Sequence, residues 1–493
     1  MQETISFVLD GKIQIIDFKN GINPTTTVLN YLRSSPIHKG VKEGCAEGDC
    51  GACTVVIGEL TQNNKMRYQA WDSCLVFLPM IHGKQLITVE NLSQKNGTET
   101  ILHPVQKTMV ECNGSQCGYC TPGIVMSLFS LYKNEAESTK ENIEDALTGN
   151  LCRCTGYKPI IDAAIKACAY KEIDQFTTNE KQIIELLQQI KDQSTSSELT
   201  SEKQKYYRPV TKTEALELRK RMPDSVLISG ATDVALRVTK RHEVLEEIID
   251  LSGIEELKKC TKTDYLIKFG AGMSLEEVKK IAKDELPALY ETLTVFGSRQ
   301  IRSLATFGGN VGSSSPIGDT LPTLMAYNAE IKLQSIDGER KININDFILG
   351  YRKTERRPDE IITKVIITKP SSSTIVKFYK VSKRKDLDIS TVSAGFSLTL
   401  DDNIVASITL AYGGMAAITK RVLKAEEYLT GKLWVRSNVE QAMELIAEEF
   451  TPISDARSGA EFRTIAAKNL LLKFWTETNP ITIDLSEIEQ EPY

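Results

Sequence analysis

Histidine is scarce in this chain: His38, His82, His103 and His242 are the only four in 493 residues, and none stand at the i,i+4 spacing of a helical metal site. No serine or cysteine nucleophile is placed beside a plausible base, which argues against covalent catalysis. Positive charge is not in excess either. The formal net charge of −5 gives no electrostatic reason to expect nucleic acid. No apolar run reaches the eighteen residues of a membrane span, and Met1 to Asp10 alternates like a strand without the basic and apolar regions of a secretory signal. Solenoid-period repeats are missing, as is the Gly-x-Gly-x-x-Gly of a Rossmann fold.

What the chain does have is cysteine, in a particular arrangement. Eight of its eleven cysteines form two quartets before residue 155. Cys45, Cys50 and Cys53 are separated by four and two residues and Cys74 follows twenty further on, the plant-type spacing of a 2Fe-2S cluster and not that of a disulfide framework. Gly40, Gly44, Gly48 and Gly51 punctuate this stretch, so the main chain can wrap closely and aim N–H groups at thiolate and sulfide. The run Cys53 to Ile57 reads as a strand.

Cys117 and Cys120, with Cys152 and Cys154, form the second quartet. Thr121-Pro122-Gly123 suits a helix start, with Ile124, Val125, Ser127, Leu128 and Leu131 as its apolar face. Cys152 and Cys154 precede a second periodic run, Ile160, Ile161, Ala164, Ile165 and Ala167. Both pairs therefore lie near helix N-termini, where the dipole favours anionic sulfur. From the residues alone, either quartet could instead hold structural zinc in a scaffold protein. Cys112, Cys168 and Cys260 read as small buried hydrophobes.

The order Glu43-Gly-Cys-Ala-Glu-Gly-Asp-Cys-Gly-Ala-Cys53, Gln116-Cys-Gly-Tyr-Cys-Thr-Pro-Gly123 and Gly149-Asn-Leu-Cys-Arg-Cys-Thr-Gly-Tyr157 resembles the iron–sulfur portion of the xanthine dehydrogenase family of molybdenum hydroxylases. The resemblance implies one 2Fe-2S cluster on Cys45, Cys50, Cys53 and Cys74, a second on Cys117, Cys120, Cys152 and Cys154, and Gln116 near the pterin of a partner. Thiolate-ligated clusters and an odd number of cysteines suit a reducing cytoplasm.

Further on, Ser225-Val-Leu-Ile-Ser-Gly-Ala-Thr-Asp233 is a buried strand running into a small-residue turn, and Ser303 to Asp319 gathers glycines and serines between apolar residues. Amide groups there could approach a phosphate without Cβ clashes, and two such loops suggest a dinucleotide. These loops resemble the FAD-binding domain of the same family. By that resemblance Leu227, Ile228, Ser229, Gly230, Ala231, Thr232, Asp233 and Val234 cradle the pyrophosphate and Phe296 sits against the flavin. Thr306, Gly309, Asn310 and Ser315 line the cofactor, Asp319 bonds its polar chain, and Lys424 lies near the flavin N1. Lys383 to Asp388 would lie where nicotinamide and flavin edges meet, although from its charges it reads as a solvated loop.

Length and 41% hydrophobic content suit three or four packed units. Polar composition from Lys171 to Lys205 reads as a linker despite a helical patch at Ile183 to Ile190. The expected fold is multidomain α+β: a β-grasp 2Fe-2S ferredoxin-like domain over 1–90, a helical-bundle 2Fe-2S domain over 91–170, a linker over 171–205, a non-Rossmann α+β FAD-binding domain over 206–375, and an α+β flavoprotein C-terminal domain over 376–485. The resemblance spans about residues 3 to 480 and leaves no molybdopterin site in this sequence. It therefore implies an iron–sulfur and flavin subunit that takes electrons from a molybdopterin-binding large subunit, in a heterotetramer with two of each, and passes them to NAD+. Purines, or an aldehyde or N-heterocycle in a related hydroxylase, would be oxidised on that partner.

Overall fold

Apolar Ile5, Phe7 and Leu9 alternate with polar neighbours to make β1 (Thr4–Leu9), which pairs antiparallel with β2 (Lys12–Asp17). In this computed structural model the described residues are 2–479 apart from 62, 135–138, 170, 193 and 194. β3 (Thr54–Leu60), β4 (Met66–Asp72) and β5 (Gln85–Ile87) complete a sheet ordered β2-β1-β5-β3-β4. Helix α1 (Val28–Ser34) buries Val28, Leu29 and Leu32 in the same core as Phe7 and Val55. This is the β-grasp unit expected for the first domain.

Four helices follow: α2 (Pro104–Glu111), α3 (Thr121–Asn134), α4 (Lys140–Leu147) and α5 (Lys158–Ala169). Helix α3 starts at Thr121 as its sequence predicts and is buried from Gly123 to Tyr132, the centre of a bundle core with Val105, Ile143, Ile160 and Ala164. His103, buried edge-on against Phe129 and Tyr132, accepts at Nδ1 from Val105 N–H and therefore donates from Nε2 to Asp174 at 3.1 Å.

The stretch expected as a linker is instead built into the fold. Helix α6 (Glu180–Asp192) carries Ile183, Leu187 and Ile190 on one face, and these pack on Val8 of β1. β6 (Ser197–Thr200) then pairs antiparallel with β7 (Lys205–Arg208), and Glu198 N–H donates to Gln2 O at 3.0 Å. Three apolar positions at helical spacing suffice to dock a segment that is otherwise polar. Tyr170, Gln193 and Ser194 of the expected boundary and linker, and the end of the last expected domain beyond 479, lie outside the described residues.

The next domain has two sheets. With α7 (Lys212–Arg221) intervening, β8 (Val226–Ile228) and β9 (Glu247–Asp250) give the order β8-β9-β7-β6, the first two pairings parallel. Helix α8 (Ala235–Thr239) lies between β8 and β9. The second sheet is antiparallel: β10 (Cys260–Lys262), β11 (Leu266–Gly270), β12 (Glu330–Ser335), β13 (Gly338–Asn343) and β14 (Ile361–Thr368), in the order β10-β11-β14-β12-β13. Helices α9 (Leu275–Glu285), α10 (Pro287–Thr294), α11 (Arg299–Leu304), α12 (Phe307–Ser313) and α13 (Thr320–Ala326) cover it. From α11, fully buried Arg302 bridges Asp145 of the helical domain at 2.7 Å and Glu276 at 2.8 Å.

The last domain runs strands then helices, as its patterns predict: β15 (Thr374–Val381), β16 (Val392–Asp401), β17 (Ile404–Gly413) and β18 (Lys420–Arg421), then α14 (Leu423–Leu429), α15 (Arg436–Glu449) and α16 (Ala460–Thr478). Among the described residues no helix is long and apolar enough to cross a membrane.

Candidate functional site

The antiparallel register of β3 and β4, with Thr54 opposite Asp72, brings Cys53 and Cys74 together just beyond the paired ends. Ser73 Oγ fixes this by donating to Cys53 O at 2.7 Å. Cys45 and Cys50 lie on the preceding loop, which turns through left-handed conformations at Ala46, Gly48 and Gly51. Cys45 Sγ accepts from the N–H groups of Glu47 at 3.4 Å and Asp49 at 3.3 Å, and a bond from the Cys50 thiol pulls its pKa down to about 5. The Cys53 thiol donates to Cys74, and that bond together with full burial pushes Cys53 well up. Asp72 adjoins Cys53, and its burial, followed by the nearby charges of Cys45 and Asp49, pushes its carboxyl well up.

In the second quartet, Cys120 caps α3 and accepts Ile124 N–H at its carbonyl, while Cys152 and Cys154 come just before α5. Tyr119 N–H and the Cys154 thiol lower Cys117, and burial followed by a bond to Cys152 pushes Cys120 up to about 12. All eleven cysteines are free thiols. In both quartets they stand in twos, Cys45 with Cys50, Cys53 with Cys74, Cys117 with Cys154 and Cys120 with Cys152. Among the described residues no three histidine, cysteine or acidic side chains converge on one ion. Thiols grouped two and two, with N–H donors aimed at sulfur, fit a two-iron centre better than the single tetrahedral ion of a zinc site. Cys53 and Cys74 are buried, whereas Cys117 and Cys154 are exposed, with exposed Gln116 beside them.

A cavity of about 860 Å³ opens between the sheet carrying β8 and the loops around α12. Leu227, Ile228, Ser229, Gly230, Ala231, Thr232, Asp233 and Val234 line it, facing Phe296, Thr306, Gly309, Asn310 and Ser315. Thr306 is also the cap of α12, accepting Gly309 N–H at 3.2 Å, and Asn310 accepts from Thr320. Ser229 Oγ is buried without a hydrogen-bond partner in the chain. A long cleft of small residues with an unsatisfied hydroxyl suits a dinucleotide. Gly230 has a different role from the one its sequence context suggests. A Cβ there would lie 2.0 Å from Leu304 O, so the glycine lets two protein segments meet and its first clash is not with a ligand.

Two expected residues are elsewhere. Asp319 is buried in an ion pair with Lys380 at 2.8 Å and accepts from Ser390 Oγ at 2.5 Å, so its carboxylate joins the last two domains and is absent from the cavity lining. Lys424 is exposed on α14, where its N–H donates to Glu449, and it too is absent from the lining. Other residues contribute without an obvious sequence signal. Arg219 and Arg356 line the cavity, and burial plus the charge of Arg356 pushes Arg219 down to about 10. Leu387, in a left-handed turn within the charged 383–388 loop, reaches the cavity too. So do Glu47, Asp49 and Leu75, from the loops that carry the first quartet.

Comparison with known proteins matches residues 88–165 to a [2Fe-2S] binding domain, 200–370 to the FAD binding domain in molybdopterin dehydrogenase, and 377–478 to the CO dehydrogenase flavoprotein C-terminal domain. The chain is 32% identical to xanthine dehydrogenase of Emericella nidulans over 99% of its own length. The chain belongs to the molybdenum hydroxylase family. It is also 31% identical to xanthine dehydrogenase 1 of Arabidopsis thaliana over 92% of its length. It spans only 39% and 38% of those two proteins. Reconstituted CO dehydrogenase from Oligotropha carboxidovorans shares the fold, with a TM-score of 0.52 at 23% identity over 55% of this chain and 96% of the matched one. Within this family of oxidoreductases, the chain is an iron–sulfur and flavin member: its 2Fe-2S-binding and FAD-binding domains are in one polypeptide.

Proposed function

We propose that this chain is the iron–sulfur and FAD subunit of a heteromeric xanthine dehydrogenase in a reducing cytoplasm, with purine oxidation at a molybdopterin-binding large subunit and NAD+ as the acceptor here. The similarity to xanthine dehydrogenases supports this reading. One observation carries it: the loop of the first quartet supplies Glu47 and Asp49 to the wall of the dinucleotide cavity, while the second quartet opens at the surface through Cys117 and Cys154. This arrangement supports a relay that enters at the surface by the second quartet and reaches the cavity by the first. When bound, two 2Fe-2S clusters and FAD would supply single-electron relay and its conversion to two-electron exchange with NAD+.

The protein's own groups prepare those sites. N–H groups of Glu47 and Asp49 stabilise anionic sulfur at Cys45, and the buried setting of Cys53 and Cys74 keeps water from the inner half of the first quartet. Around the cavity, the 227–234 turn and the 306–315 segment would hold the dinucleotide, and exposed Gln116 would meet the large subunit beside the second quartet. Two copies of each subunit would complete a heterotetramer.

Co-purification of the full complex, followed by assay with xanthine, hypoxanthine and aldehydes and with NAD+ as acceptor, tests this. NAD+ reduction driven by xanthine is expected. Oxidation of an aldehyde or an N-heterocycle in its place would make this the equivalent subunit of another molybdenum hydroxylase. A purified chain without iron–sulfur and flavin absorption would refute the electron-transfer role.

A further inference from the structure

The segment that walls the cavity from Leu227 to Val234 continues into α8, and its apolar side is not part of a separate core. Ile228, Ala231, Val234, Ala235 and Leu236 pack in the same cluster as Cys53, Cys74 and Leu75. At the end of α8, Lys240 Nζ donates to Cys45 O at 3.1 Å and pairs with Glu47 Oε2 at 3.4 Å. A cation of the dinucleotide domain is thus set on the main chain of a thiol ligand in another domain. Its carboxylate partner is two residues from that ligand and on the cavity wall.

We propose that Lys240 is a positioning residue that sets the reduction potential of the centre held by Cys45, Cys50, Cys53 and Cys74, with Glu47 opposing it. The inference rests on the reading of this quartet as a redox centre. Reduction adds negative charge, so a fixed cation on a ligand's main chain favours the reduced state and raises the potential, while a carboxylate lowers it. Lys240 and Glu47 are 44% and 41% exposed, so water and salt screen both and each shift is moderate, larger at low ionic strength. The contact also ties the potential to domain docking, because the same segment that carries Lys240 forms the cavity wall.

The test is a potentiometric titration of the whole, cluster-containing protein followed by electron paramagnetic resonance, the centre being identified by its loss in Cys50→Ser. Lys240→Met should lower the midpoint of that centre, Lys240→Arg should keep it near its original value, and Glu47→Gln should raise it. The Lys240→Met/Glu47→Gln double variant should return towards the starting midpoint, and the second centre should not move in any of them. Opposite shifts from two single variants are what charge produces. Mere loosening of the loop would move both the same way, and that result, or an unmoved midpoint in Lys240→Met, overturns the proposal. If the unaltered protein gives no iron–sulfur signal at all, the redox reading beneath it fails first.

Discussion

Leu151 N–H donates to Cys50 O across 3.1 Å, joining the residue before Cys152 to a ligand position of the other quartet. The neighbouring Asn150 secures this approach. Its Nδ2 donates to Gly51 O at 3.1 Å, and its Oδ1 accepts from Ser127 Oγ at 2.6 Å and from Gln300 Nε2 at 2.9 Å, so three domains meet on one buried side chain. Only glycine serves at position 51, where φ is +67° and a Cβ would lie 2.3 Å from Gly149 O. Replacing Asn150 by Ala leaves several buried partners unsatisfied and should cost about 1–3 kcal/mol. The expected result is a lower unfolding midpoint with both centres still formed, read by thermal unfolding and iron content. A stability unchanged from the parent protein would show that this contact is not what holds the domains.

The two quartets differ in exposure, and their chemistry should differ with it. Cys50→Ser is expected to remove one of two distinguishable 2Fe-2S resonance signals and Cys154→Ser the other. Because Cys117 and Cys154 are exposed while Cys53 and Cys74 are buried, a chelator under mild oxidation should strip the second centre before the first. Signal loss in the reverse order would contradict the assignment of buried and exposed quartets to the two spectra.

Cysteine spacing made both quartets legible in the sequence, because ligand intervals are local and each pair borders a helix whose apolar period is also local. The turn from Leu227 to Val234 was legible for the same reason. Asp319 and Lys424 were misplaced because their surroundings depend on distant segments: Asp319 meets Lys380 and Ser390 in another domain, and Lys424 lies on a helix face that tertiary packing leaves open. The segment 171–205 was misread by composition. Its polar residues outnumber Ile183, Leu187 and Ile190, yet those three positions decide where α6 docks. Arg219 and Arg356 gave no sequence signal, since their entry into the cavity follows from folding two separate segments against it.

At the cavity, two neighbouring substitutions separate binding from folding. Ser229→Ala removes a buried hydroxyl that has no partner in the chain, so folding should be unaffected or slightly favoured. If that hydroxyl bonds the dinucleotide, FAD affinity should fall by about 0.5–1.5 kcal/mol, roughly twofold to twelvefold, in a flavin-fluorescence titration. Gly230→Val should behave differently. Its side chain would collide with Leu304 O, so loss of flavin is expected together with loss of stability. A stable Gly230→Val protein that retains FAD would refute the close approach of these segments.

Acid should loosen the junction between the helical domain and α6 through Asp174. Burial works to raise this carboxyl, but bonds from His103, Lys133 and Thr177 N–H outweigh it and hold it well below the ordinary value of 3.8. A carboxylate depressed in the folded state stabilises it above the ordinary carboxyl pKa, and that contribution is lost as the pH falls towards the lower folded value. The parent protein should therefore keep this junction at neutral pH and lose it only in strong acid. In Asp174→Asn the charge is gone at every pH, Lys133 is left without its buried counter-ion, and the junction should be weaker at neutral pH but flatter with acid. Limited proteolysis between residues 165 and 180 across a pH series measures this. Equal cleavage of the two proteins at neutral pH would show that Asp174 does not anchor the segment.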